Sequence, residues 1–276
     1  MRGIKAILRR NLTNFTRDKL KLFFSVFMSV FFLFVFSFVM KPTTTGVAQP
    51  LNYLISGIII MTVFQSALNN STNILEDMSM GFMKEIIVSP VARWQISIGQ
   101  ILSSTIIAVV QGLLVIVIAL FMGLKINLLQ FFEMFGVMAA VGITFGSIGL
   151  YLATLAKNST TFQIMIMAFT MPLTFLSGAY IPTTVMPKLL RPFVYLNPLT
   201  YTTSIFRYIT LKMGSMSSAA LVKAGVAFDL NGFIIRPYFG LLIILAMGLA
   251  FFTLCVIQFN KADFSNVKSV HSHQRS

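Results

Sequence analysis

Long apolar stretches alternate with short charged ones along the whole chain. Successive charged side chains leave six wide intervals: Lys21 to Lys41, Lys41 to Glu76, Arg93 to Lys125, Glu133 to Lys157, Lys157 to Lys188 and Arg236 to Lys261. A bilayer core about 30 Å thick takes roughly 20 apolar residues of helix to cross, and a helix satisfies its own backbone polar groups where water is absent. The pattern therefore predicts an all-α integral membrane protein with six transmembrane helices. The first covers residues 22–40, the second 51–69, the fifth 161–180 and the sixth 237–259, with the third and fourth inside the intervals that follow Arg93 and Glu133.

The flanks carry their own periodicity. Ahead of the first span, Ile4, Leu8, Leu12 and Phe15 recur at helical spacing while Arg2, Lys5, Arg9 and Arg17 fall opposite. Such a pattern suits an amphipathic helix over residues 1–21 lying on the membrane surface, the plainer alternative being a solvated basic lead. The first span holds eight phenylalanines between Phe23 and Phe38, a surface suited to lipid. Residues 76–93 then mix Glu76, Asp77, Lys84, Glu85 and Arg93 with Phe82, Ile86 and Ile87, before Pro90 stops any helix. A short half-apolar helix of that kind suits docking into a partner's groove or packing on the membrane surface.

In the fourth span Ala139, Gly142, Gly146, Gly149, Ala153 and Ala156 fall three or four residues apart. This stripe of small residues lets helix backbones approach closely in lipid, within one subunit or between two. The fifth span contains Pro172 and Gly178, which interrupt or bend a helix. Pro182, Pro187, Pro192 and Pro198 punctuate the apolar stretch beyond it. Asn197 is placed to cap a helix with Pro198 at its first position, and Gly214 to end that helix after Arg207 and Lys212. Short outer helices are therefore expected between spans five and six. A small, polar, mobile loop over 215–228 should follow them, and a disordered tail should follow the last span over 261–276.

Composition fits this reading. With 57% hydrophobic residues in a chain of 276, too little polar surface remains to cover a water-soluble domain. Residues 1–276 read as one transmembrane domain with a six-span bundle over 22–260. The net charge of +14 belongs beside the spans, where anionic lipid head groups attract it, and does not indicate nucleic acid. Arg2, Lys5, Arg9, Arg10, Arg17, Lys19 and Lys21 place the amino terminus in the cytoplasm, and six crossings return the carboxyl terminus there beside Lys261, Lys268 and Arg275. The basic residues of the outer stretch 181–236 run against that rule, over a loop long enough to weaken it. The single cysteine, Cys255, leaves no intrachain disulfide. The first apolar run reads as a signal anchor, not a cleaved leader.

Certain residues are missing where chemistry would need them. Ion-coupled transporters generally hold a carboxylate or His within the membrane. Here Asp18, Glu76, Asp77, Glu85, Glu133, Asp229 and Asp263 sit at interfaces or in loops, and His271 and His273 lie in the tail. No Gly-x-x-x-x-Gly-Lys-Ser/Thr phosphate loop exists, and no cluster is placed for acid-base, nucleophilic or metal chemistry. The chain is not expected to be an enzyme, to bind a cofactor or to hold a metal. If it moves a solute uphill, another subunit supplies the energy; the alternative is an energy-independent channel or facilitator. Gln65, Asn69, Asn70, Gln111 and Gln163 lie inside spans, where they line a path or bond neighbouring helices.

The run Met171-Pro172-Leu173-Thr174-Phe175-Leu176-Ser177-Gly178-Ala179-Tyr180-Ile181-Pro182, with Met186-Pro187, Leu196-Asn197-Pro198-Leu199-Thr200-Tyr201 and Arg207, resembles the signature of type-2 permeases of ATP-binding-cassette exporters. Gly81, Phe82 and Glu85 followed by Pro90 and Arg93 are similar to the family's cytoplasmic segment, and the Arg17-Asp18 pair and the glycine-rich fourth span add to the likeness. The resemblance implies a six-helix permease that dimerises, a homodimer being favoured, with each half docked on a cytoplasmic ATPase that binds ATP and magnesium. By position, residues 81–93 would be the coupling helix, the helix bearing Arg10 and Arg17 would flank the same ATPase, and Pro172 to Tyr201 would close the exit. Drugs, antibiotics, lipids or glycoconjugates are the implied cargo, exported across a bacterial plasma membrane.

Overall fold

A computed structural model describes residues 2–39, 50–79, 92–156, 158–230 and 233–261. Helix α1 (Arg2–Arg17) turns at Asp18 into α2 (Lys19–Val39), the two bent by 67°. Then come α3 (Pro50–Asn69), α4 (Thr72–Ser79), α5 (Arg93–Phe121), α6 (Leu128–Leu155) and α7 (Ser159–Leu176). A cap follows: turns Thr183–Val185 and Lys188–Leu190, helices α8 (Arg191–Leu196) and α9 (Pro198–Thr210), turn Met213–Ser215, α10 (Ser218–Lys223) and strands β1 (Phe228–Leu230) and β2 (Phe233–Ile235). Helix α11 (Pro237–Lys261) ends the described chain.

Among the described residues five helical stretches are long and apolar enough to cross a membrane: Leu51–Glu76, Arg93–Phe121, Leu128–Leu155, Ser159–Leu176 and Pro237–Gln258. The bent α1–α2 pair brings the number to six if it forms one broken span. Burial ranks them. The apolar stretch of α3 is 83% buried, against 22% for α11 and 11% for α7. Helix α3 is thus the post around which α2, α5 and α6 pack, with α9 against it and α11 laid along α6. Ile55, Ile58, Ile59 and Phe64 of α3 are fully or almost fully buried, and the Phe64 ring meets Phe145 of α6 edge-on at 4.6 Å.

Local chemistry sets the boundaries. Asn127 and Gln130 form a reciprocal capping box at the start of α6, and Asn158 caps α7 through Thr161. Helix α7 runs unbroken through Pro172, so the expected interruption falls later, at Gly178 (φ +78°). Helix α9 ends at Thr210, and Lys212, not Gly214, takes the left-handed conformation (φ +53°). Residues 215–228, expected to be mobile, instead form α10 and lead into β1, which pairs with β2 as an antiparallel hairpin.

The small-residue stripe of α6 faces this chain's own helices. A Cβ on Gly142 would stand 2.8 Å from Thr105 Cγ2 of α5, and one on Gly149 would stand 2.8 Å from the Leu68 carbonyl of α3. Gly146 has more room, its nearest neighbour being Ser104 Cβ at 3.5 Å.

Candidate functional site

Among the described residues two polar constellations break the apolar bundle. The first is a seam between α2 and α3. Ser25 and Ser29 fall four apart on α2, and Thr62, Gln65, Ser66 and Asn69 repeat at three or four on α3, so each set lines one helical face. The two faces meet where Ser29 Oγ lies 2.8 Å from Thr62 Oγ1, and Gln111 of α5 reaches in to donate to Ser25 Oγ at 2.8 Å. Asn70 turns back to the Ser66 carbonyl at 2.8 Å.

These groups border a groove of about 330 Å³ whose other wall is Phe24, Met28, Phe32, Met61 and Tyr180. Backbone carbonyls one turn away accept from the hydroxyls of Ser25, Ser29 and Thr62, so those groups are satisfied without a ligand. The side-chain amides of Gln65 and Asn69 make no hydrogen bond to any described residue, and both residues stand exposed in the groove. The Tyr180 ring stacks on Phe36 at 5.3 Å and roofs the groove.

The second constellation ties the cap to the bundle. Helix α7 ends with carbonyls that have no partner inside the helix. Asn197 Nδ2 donates to the Leu173 carbonyl at 2.7 Å and Thr200 Oγ1 to that of Leu176 at 3.2 Å, while Asn197 Oδ1 caps α9 by accepting from Leu199 N–H at 2.9 Å. Pro198 occupies the first position of α9, where a missing N–H costs nothing. Beyond α7, Ser177 Oγ donates to the Thr174 carbonyl and accepts from Ala179 N–H.

The carbonyl of Gly178 is the hub. It accepts from Arg207 Nη2 at 3.1 Å and from the Tyr53 hydroxyl of α3 at 3.2 Å, while the Arg207 guanidinium lies 3.3 Å above the Tyr53 ring. Arg207 is fully buried, and its Nη2 also reaches the Ala179 carbonyl at 3.4 Å. Gly57 of α3 lies so close to that carbonyl that no side chain fits between.

Of the residues singled out in the sequence, Ser177, Gly178, Asn197 and Pro198 gather at this junction. Pro182 opens the next turn, Pro172 sits within α7, and Tyr201 bonds the Tyr195 carbonyl at 2.7 Å. Gln65, Asn69, Asn70 and Gln111 meet in the seam, whereas Gln163 is exposed on α7. Gly81, Phe82, Glu85 and Pro90 lie outside the described residues, and Arg93 opens α5. Arg10, Arg17 and Asp18 sit on and just after α1. The sequence reading passed over Ser25, Ser29, Thr62 and Ser66, whose four-residue spacing was the available signal, and over Tyr53 and Gly57, which carried none.

A family model described as ABC-2 type transporter matches residues 2–211. The chain belongs to the ABC-2 type transporter family. As an ABC-2 permease it is a membrane protein with a transport role, and the family implies an ATP-binding-cassette ATPase partner. It is 28% identical over 210 residues to a chain of Cyanophora paradoxa named as transport permease ycf38, covering 74% of this chain and 69% of that one. A Porphyra purpurea chain of the same name is 29% identical over 161 residues, 57% of this chain and 55% of its own length. An Escherichia coli K12 chain named as a multidrug ABC transporter permease, YbhR, is 27% identical over 160 residues, 58% of this ABC-2 permease and 43% of the relative. This permease thus spans about half the length of the latter two.

Proposed function

We propose that this chain is the transmembrane half of an exporter, driven by ATP hydrolysed with magnesium on a separate cytoplasmic subunit. In this reading an amphipathic cargo crosses beside the α2–α3 seam. The observation that carries it is the seam itself, a continuous row of uncharged polar groups along otherwise apolar helices, with an apolar wall facing it. An amphipath needs both surfaces at once. Family membership and the absence of acidic or His residues from the six uncharged intervals support an external power source.

The ATPase pushes where the chain offers it a handle: residues 81–93, with Gly81, Phe82, Glu85 and Pro90 in the contact and Arg93 passing the movement into α5. The α1 end, with Arg10, Arg17 and Asp18, lies beside the same partner. A second copy of the permease packs against α7, whose long apolar face this chain leaves open. Both termini are cytoplasmic and the membrane is a bacterial plasma membrane. Export ends as the junction of Gly178, Asn197 and Arg207 loosens and lets cargo past the cap.

Inside-out vesicles holding the chain together with its ATPase should accumulate a fluorescent amphipath only when ATP can be hydrolysed. Glu85→Ala or Arg93→Ala should lower the amount moved per ATP consumed. Vesicles holding this chain alone that equilibrate the solute at the same rate would replace the exporter with a facilitator.

A further inference from the structure

The seam carries a preference that depends on charge. Every polar group around the groove is an amide or a hydroxyl; among the described residues no carboxylate, ammonium or guanidinium lines it. An ion brought against such a wall loses water and meets no opposite charge, a penalty that the nearby aromatic faces repay only in part through cation–π attraction. A neutral hydroxyl or amide instead exchanges its waters for protein partners of similar strength.

Two partners are waiting. Gln65 and Asn69, four residues apart on α3, present unbonded amides to the groove, each able to donate and accept. Phe24 and Phe32 of α2 and Tyr180 from the turn after α7 line the same groove, offering flat apolar surface to an alkyl chain or to the non-polar face of a sugar ring. A volume of about 330 Å³ stands at the low end for small-molecule sites and holds a head group, not a whole cargo.

We propose that the α2–α3 groove selects cargo with an uncharged head group rich in hydroxyls or amides and an apolar tail, with Gln65 and Asn69 as its recognising residues, and that it discriminates against cations. This rests on the reading of the groove as the cargo path. The nearest chemical class is a glycoside-headed lipid or glycosylated small molecule, not a lipophilic ammonium compound.

The test compares two probes with the same tail, dodecyl maltoside and dodecyl trimethylammonium, binding to the assembled transporter in lipid nanodiscs, with empty discs subtracted. Wild-type protein should favour the maltoside by about tenfold or more. Gln65→Leu and Asn69→Leu should each weaken it roughly fivefold, the loss of about one hydrogen bond, and leave the ammonium probe unchanged. Both side chains are exposed, so unaltered melting of the variants serves as the folding control. Equal weakening of both probes would overturn the charge preference and keep the groove as a cargo path. Binding of both that ignores the substitutions would overturn the preference and remove the groove from the path as well.

Discussion

Glycines that look alike in the sequence differ in what surrounds them. A Cβ on Gly142 would press on Thr105 and one on Gly149 on Ser71 and the Leu68 carbonyl, whereas Gly146 has ordinary contact distance to spare. Gly142→Ala and Gly149→Ala should each cost about 1–3 kcal/mol. Gly146→Ala should be neutral or gain up to about 1 kcal/mol from helix propensity. Thermal unfolding of the purified protein in detergent distinguishes the two outcomes. Gly57→Ala should be the most damaging of the set, because the Ala179 backbone, which cannot rotate away, blocks it.

Arg207 poses the opposite problem, a buried charge that meets no carboxylate among the described residues and is held by two carbonyls and the Tyr53 ring. Arg207→Met should cost about 2–3 kcal/mol by leaving the Ala179 carbonyl without its donor and Tyr53 without its cation. Arg207→Lys should recover less than half, since a single ammonium cannot bridge two acceptors and stack at once. Melting temperatures of the two variants check the order. The sequence marked Arg207 as part of a signature, but its partners Gly178, Ala179 and Tyr53 all precede it by more than twenty residues, the last by more than a hundred, beyond any local pattern.

At the scale of elements, α1 is more than a float on the lipid. Ile7, Asn11 and Phe15, four residues apart, are its buried face, and Asn11 Nδ2 donates to Gln100 Oε1 at 2.6 Å and Ser103 Oγ at 2.8 Å on α5. Helical spacing revealed the amphipathic helix but placed its apolar stripe on Ile4, Leu8, Leu12 and Phe15. A buried amide reads as polar in a sequence, so the docking face was missed. The Cβ position at Gly99 lies 3.1 Å from Ile7 Cβ, close enough for a bridge after small backbone relaxation. The double variant Ile7→Cys/Gly99→Cys, in a Cys255→Ser background, should oxidise to an intramolecular disulfide; free thiols by mass spectrometry would show α1 detached. The Asn197–Pro198 start of α9 was legible because a cap is a local device, and the three-residue strands of the hairpin were not, because pairs that short leave no alternation to count.

For the whole molecule, charge-free intervals foretold five membrane-length helices among the described residues because the bilayer penalises every charge in the same way, whatever the packing. Which helix would be central was not readable: α3 and α7 are both apolar enough to cross a bilayer, yet one is enclosed and the other bare. Under the proposed dimer, Ile164→Cys and Met167→Cys on the exposed face of α7 should cross-link two copies in native membranes and give a band of twice the mass. Persistent monomer bands at both positions would move the subunit contact elsewhere. Within its own subunit α7 buries only Phe162 and Ile166, packs Phe169 and Leu173 against the core by partial burial, and is bonded by Asn197 and Thr200 at its finish. A rod held so lightly along its length can pivot without melting any packed interior. Its stiffness resides in a handful of bonds, and trimming one of them, such as Thr200→Val, would reset how far it swings.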